Sequence, residues 1–196
     1  MAAERQSTLR QRLFAILVAG IGATAASAAS FAMAVYDAAN PEPIAAIDAG
    51  VQIDTGKWNV MLREAYLSPA PPTGIQPPTP TTFLTVEFDL ENRSAASAYA
   101  STKLFTLDPP VEALPDFYLE RDLWVAGPLN PGMRERMIAT WELPAGQTPP
   151  HELSVMVGSQ IYKRRDNLYG ASGWFDREPA ARVTLPVAAR NESIAP

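Results

Sequence analysis

The chain has 196 residues, with 16 lysines and arginines against 21 aspartates and glutamates, and a formal net charge of −5. It has no cysteine, which excludes disulfides, thiolate metal sites, a cysteine nucleophile and a lipid-modified N-terminal cysteine. Three of the arginines and one glutamate precede Asp37, so the remainder stands at −7, a poor balance for nucleic acid or an anionic membrane surface.

Residues 1–12 carry Arg5, Arg10 and Arg12 and read as a cytoplasmic tail. Residues 13–36, LFAILVAGIGATAASAASFAMAVY, run without a charge for a length that spans a bilayer core as a helix. Two readings compete. A signal peptide would be cut after Ala26-Ser27-Ala28, leaving Ala29 as the new N-terminus. A transmembrane signal anchor would continue through Phe31, Met33 and Val35 to Tyr36 at the interface, and that apolar continuation favours the anchor. Gly20, Thr24, Ala28 and Ala32 recur every four residues, a small-residue stripe of the kind that lets membrane helices pack closely. An alanine-rich segment also produces such spacing by chance.

Residues 37–49 form a linker in which Pro41 and Pro43 stop the helix. From there to residue 190 the pattern is strand after strand. Trp58, Val60 and Leu62 alternate with polar neighbours. Residues 68–80 hold too many prolines to pair in a sheet. In Thr82–Leu90, Leu84, Val86, Phe88 and Leu90 make one wholly apolar face. Further strands are expected over Tyr99–Leu107, Phe117–Leu119, Arg134–Leu143, Leu153–Val157 and Val183–Val187, with 191–196 as a tail. Short strands separated by Pro, Gly and Asn turns, without a convincing amphipathic helix, predict an all-β domain. The expected form is an immunoglobulin-like antiparallel β-sandwich preceded by a single N-terminal transmembrane helix, with a closed barrel as the alternative.

The stretch FLTVEFDLENRSAAS, then an aromatic-containing strand, then LNPGMRERMIATWELPAG, resembles the immunoglobulin-like extracellular domains of unknown function in bacterial lipoproteins and membrane-anchored surface proteins. Asn92-Arg93-Ser94, Leu129 to Gly132 and Pro144 to Gly146 stand at that family's turn positions. The resemblance covers about residues 83–146 and rests on turn chemistry. It implies a fold and an extracytoplasmic location and carries no catalytic residues. The chain departs from the lipoprotein members in lacking the acceptor cysteine.

Little catalytic chemistry is visible. His151 is the sole histidine, and no serine sits in a nucleophile elbow. Asp116, Glu120 and Asp122 cluster, but a solvated face is favoured over an acid–base pair, since nothing in the sequence converges them on a cleft. Asp166, Asn167 and Asp176 match no calcium loop. No cofactor and no metal are expected, and the chain reads as a non-enzyme. The stretch that invites function is Gln160–Glu178, read as a long excursion between strands. It gathers Arg164 and Arg165 with Tyr169, Trp174 and Phe175, the residue types that dominate binding hot spots. The alternative is that its aromatics plug the open end of the sandwich.

The expected function is a membrane-anchored accessory or adaptor subunit of a bacterial envelope complex for transport or assembly. It would sit single-pass in the inner membrane, with its C-terminal domain in the periplasm, and act by protein–protein contacts with envelope proteins. The alternative is a secreted binding module for carbohydrate or another small ligand.

Overall fold

The computed structural model describes residues 24, 26–36, 38–40, 43–144, 146–166, 168 and 170–189. The chain divides into two units, Met1–Pro43 and Ile44–Pro196. In the first, residue 24 and residues 26–36, 38 and 39 are helical and exposed, and Phe31, Met33, Val35 and Tyr36 turn large apolar side chains outward. Among the described residues no helix is long and apolar enough to cross a membrane. Residues 13–23 and 25 of the expected span, including Gly20, lie outside them, as do the 1–12 and 191–196 tails.

Among the described residues the second unit is built of eight strands: β1 (Ile53–Asp54), β2 (Trp58–Ser68), β3 (Thr82–Asn92), β4 (Phe105–Asp108), β5 (Asp116–Leu119), β6 (Arg134–Leu143), β7 (Glu152–Lys163) and β8 (Gly173–Ala189). One layer runs β1–β2–β3–β6–β5 and the other β4–β7–β8. They face each other across one apolar core, so the fold is a β-sandwich. The alternation in the sequence is what makes this possible, because every second side chain of a strand points to the same face. Leu84, Val86, Phe88 and Leu90 of β3 meet Val155 and Val157 of β7 and Val183 and Leu185 of β8 in that core. Phe88 and Phe105 bridge the layers edge to face, with ring centroids 4.8 Å apart.

The structure corrects three expectations. The sandwich is not wholly antiparallel: β8 leaves its own layer at its end, where Val187–Ala189 run parallel to Ala65–Leu67 of β2. The strand expected over Tyr99–Leu107 is only Phe105–Asp108. Ser101 holds a turn there, its hydroxyl accepting from Lys103 N (3.2 Å) and its carbonyl from Leu104 N (2.9 Å), and Tyr99 is exposed. The Gln160–Glu178 excursion is not a loop. β7 and β8 stay paired out to Lys163 and Gly173, so most of the stretch is strand.

Two of the three resembling turns, at Asn92–Ser94 and Leu129–Gly132, form one hydrogen-bonded corner. Asn92 N donates to Met133 O (3.1 Å), and Asn92 O accepts from Gly132 N (2.7 Å). The Asn92 side chain, fully buried, donates to Ala96 O (2.8 Å) and Leu129 O (2.7 Å) and accepts from Ser94 N (2.8 Å) and Oγ (2.7 Å). Burying so polar a side chain is tolerable only because each of its atoms is paired. On the outer face of the same layer, Asp89 receives Arg63 through two bonds (3.0 and 2.6 Å) and Arg136 through a third (3.2 Å). Beside it Glu91 pairs with Arg134 at 2.6 Å.

Candidate binding surface on the β7–β8 hairpin

Beyond the sandwich β7 and β8 continue as a two-stranded arm. The register places Val157 opposite Ala181 and Ser159 opposite Arg177, so three residues of β8, Glu178–Ala180, bulge against the single Gly158. Gly158 is required by space: a Cβ there would lie 2.7 Å from Lys103 O, while its N–H donates to Leu104 O at 2.8 Å. The β1–β2 turn ties down the root of the arm. Gln160 N donates to Thr55 O (2.8 Å), and Gly56, at φ +86°, sits so close that a Cβ would fall 2.0 Å from Gln160 O.

From the bulge to the tip the ladder is regular, and it sorts the side chains by parity. Gln160, Tyr162, Trp174 and Asp176 share one face of the ribbon. The Tyr162 and Trp174 rings pack at 5.4 Å between centroids. The Gln160 side-chain amide donates to Asp176 Oδ1 (2.8 Å) and Lys103 Nζ to Oδ2 (3.0 Å). These two bonds, the Gln160 bond first, hold the Asp176 carboxyl below its ordinary pKa. Ile161, Lys163, Phe175 and Arg177 share the opposite face, where Lys163 Nζ lies 4.7 Å above the Phe175 ring. Sequence reading set Trp174 and Phe175 together in one loop patch; being successive strand residues, they face opposite ways.

At the tip Arg164 and Arg165 are exposed, and neither has an ion-pair partner among the described residues. Buried Asp166 organises the turn: its carboxylate accepts from Leu168 N (2.9 Å) and lies 3.6 Å from Lys163 Nζ. Its backbone N donates to Ala171 O (2.8 Å) and its O accepts from Gly170 N (2.9 Å). Leu168 is 79% exposed, and Tyr162 50%. Tyr169 lies outside the described residues.

A cleft of about 380 Å³ opens at the arm's root, lined by Trp58, Lys103, Phe105, Ser159, Asp176 and Arg177 among others. Sequence reasoning missed it, and missed Tyr162 on the arm. The alternation in QIYK and WFDR was the available signal for Tyr162. No signal announces that Lys103 meets Asp176 across 73 residues. In the acidic cluster near β5, Asp122 caps its own turn by accepting from Trp124 N (3.1 Å), and Arg121 lies between it and Glu135. Among the described residues no three histidines or carboxylates are placed to hold a metal. On the N-terminal helix, Thr24, Ala28 and Ala32 are exposed at one-turn spacing.

No protein-family model matches the sequence, and no curated protein does. Among solved structures, an uncharacterized β-sandwich protein from Clostridium difficile 630 is similar, at 8% identity and a TM-score of 0.45, over 71% of this chain and 97% of that one.

Proposed function

We propose that this protein is a non-enzymatic adaptor of the bacterial cell envelope, an immunoglobulin-like sandwich held to the inner membrane by residues 13–36 and exported on its periplasmic side. The carrying observation is the β7–β8 arm. It stands on a rigid, tied-down root and presents Tyr162, Leu168, Arg164 and Arg165 to solvent, the mixture of apolar and guanidinium groups that protein interfaces use as anchors. The exposed apolar side chains of the N-terminal helix support the anchor, since a bilayer or a neighbouring membrane helix is the environment that would cover them. In this reading Gly20, Thr24, Ala28 and Ala32 face such a helix, and the Asn92 turns belong to the immunoglobulin-like envelope domains that they resemble.

A photo-crosslinking residue at Arg164 in the full-length protein, activated in intact cells, tests the reading. The expected result is a discrete adduct with another envelope protein in the membrane fraction, lost when Trp174→Ala is added. Recovery of a soluble species beginning at Ala29, with no adduct, overturns it. That outcome would favour a secreted module using the cleft, whose size suits a small ligand and whose Arg177 guanidinium is open to one.

A further inference from the structure

The hydrogen-bond phase of the arm fixes which backbone groups of β8 face outward. Gly158 N bonds to Leu104 O and Gln160 N to Thr55 O, so the even-numbered residues of β7 turn away from β8 and the odd-numbered ones pair with it. Their partners Gly173, Phe175 and Arg177 therefore use their backbone groups inward, while Trp174 and Asp176 point theirs to the far side. Farther along β8 that side is capped: Arg182 N donates to Ala45 O (2.8 Å) and Ile47 N donates to Arg182 O (2.9 Å). The cap goes no farther, because the Glu178–Ala180 bulge interrupts the edge. Among the described residues no backbone group pairs with the outward side of Trp174 or Asp176. Gly173–Arg177 is thus an exposed strand edge with no proline to blunt it.

The side chains along this edge select the occupant. We propose that a second copy of this chain adds its own β8 edge antiparallel, about a two-fold axis through Phe175, so that the arm is a dimerisation element; this extends the reading of the arm as a docking surface. In that register Trp174 of one copy exchanges both backbone bonds with Asp176 of the other, and the converse holds, so all outward groups are satisfied. Phe175 opposes Phe175, an aromatic cross-strand pair, and each Arg177 opposes Gly173 with the partner's Phe175 on the diagonal. The competing registers are worse. Moving the axis to Asp176 sets two carboxylates directly opposite, which repel. Moving it to Trp174 sets Asp176 against Ser172, which lies in the turn and offers no strand to pair with.

Because the chain has no cysteine, single-cysteine variants read the axis directly. Phe175 pairs inward with Ile161, so Phe175 with its symmetry mate is a non-hydrogen-bonded pair, with Cα atoms about 4.5 Å apart and within disulfide reach. Phe175→Cys, Trp174→Cys and Asp176→Cys are oxidised in the full-length protein in detergent micelles and run without reductant. Phe175→Cys should give roughly fivefold or more disulfide dimer than either neighbour alone. Mixed Trp174→Cys and Asp176→Cys should crosslink to each other better than to themselves. Sedimentation of the unsubstituted protein should give twice the chain mass, which keeps the test meaningful if a variant misfolds. A monomer by sedimentation, or equal crosslinking at all three positions, overturns the inference. If Phe175→Cys stays monomeric while the Arg164 crosslinker still captures another envelope protein, the dimer falls and the adaptor reading stands. If that crosslinker captures only a second copy, the adaptor reading falls and the dimer stands.

Discussion

The Asn92 corner and the β7–β8 arm both lie at the end of an antiparallel strand pair, yet they treat polar groups in opposite ways. At the corner, each polar atom of Asn92 is buried and paired within the chain. On the arm, the ladder is as regular, but Arg164, Arg165, Tyr162 and the outward backbone of Trp174 and Asp176 are left to solvent. A sandwich needs the corner to close its fold, whereas nothing inside the fold needs those arm groups. That capacity left over on a regular ladder is what the proposed docking role rests on.

The contrast breaks most readily at the corner. Asn92→Ala leaves the carbonyls of Ala96 and Leu129 without the amide donors they now accept from, and the N–H of Ser94 without its acceptor. Ala96 O keeps the Ser94 hydroxyl and Leu129 O keeps Ala98 N, so the stranded group is the Ser94 N–H. The expected loss is about 3 kcal/mol in urea unfolding, with each lost hydrogen bond worth about 1 kcal/mol and a stranded buried donor about 1 to 3 kcal/mol. A loss below about 1 kcal/mol would mean that water replaces the asparagine and that the corner is no more committed than the arm.

Gly56→Ala probes the joint between the two regions. It combines a positive φ with a Cβ placed against Gln160 O. Backbone strain of this kind costs about 1 to 3 kcal/mol, and the close carbonyl puts the expected effect toward the upper end. Hydrogen exchange should then show the Gln160 amide, now bonded to Thr55 O, losing protection while the β3 amides keep theirs. Uniform loss across the sheet would show that arm and sandwich unfold as one unit.

Much of the sandwich was legible because one physical rule, alternation, was enough. Leu84, Val86, Phe88 and Leu90 announce a buried face by themselves, and all four are fully buried. The arm was misread because its alternation carries charge and aromatics on both faces, so no apolar side distinguishes strand from loop. The Glu178-Pro179-Ala180 run is a bulge that looks like a break. Asn92-Arg93-Ser94 and Leu129–Gly132 could each be read as turns, but turn chemistry is local and says nothing of one turn bonding the other. The cleft at the root was illegible for the same reason: it depends on register between segments, and register is set by the assembled sheets.

A pH titration sharpens the comparison on the outer face of the β2–β3–β6 layer. Asp89 has its carboxyl pKa lowered, first by the hydrogen bonds from Arg63 and then by Arg136, against the opposing effect of burial. A lowered folded-state pKa stabilises the fold above the unfolded value of about 3.9, and that contribution is lost as pH falls through the folded value. Stability should therefore be level from neutrality to about pH 5 with respect to this group and fall below about pH 4. Asp89→Asn should be less stable at neutral pH and show a shallower acid limb. An unchanged acid limb would transfer the effect to the other lowered carboxyls, Glu91 beside it and Asp54 and Asp176 at the arm's root and on the arm.

The smallest expected effect on stability is at the arm's tip, and its smallness is what would be informative. Arg164→Ala combined with Arg165→Ala removes two exposed guanidinium groups that have no ion-pair partner among the described residues. Exposed substitutions away from caps and buried networks change stability by about 0.5 kcal/mol or less. The turn itself is held by Asp166 through its own carboxylate and backbone, so it should keep its shape without either arginine. Thermal unfolding should then be nearly unchanged while capture of the proposed envelope partner, read with the crosslinking residue moved to exposed Leu168, weakens. A marked fall in stability would place the two arginines among the groups that the fold uses, and the tip would belong with the Asn92 corner instead of opposite it.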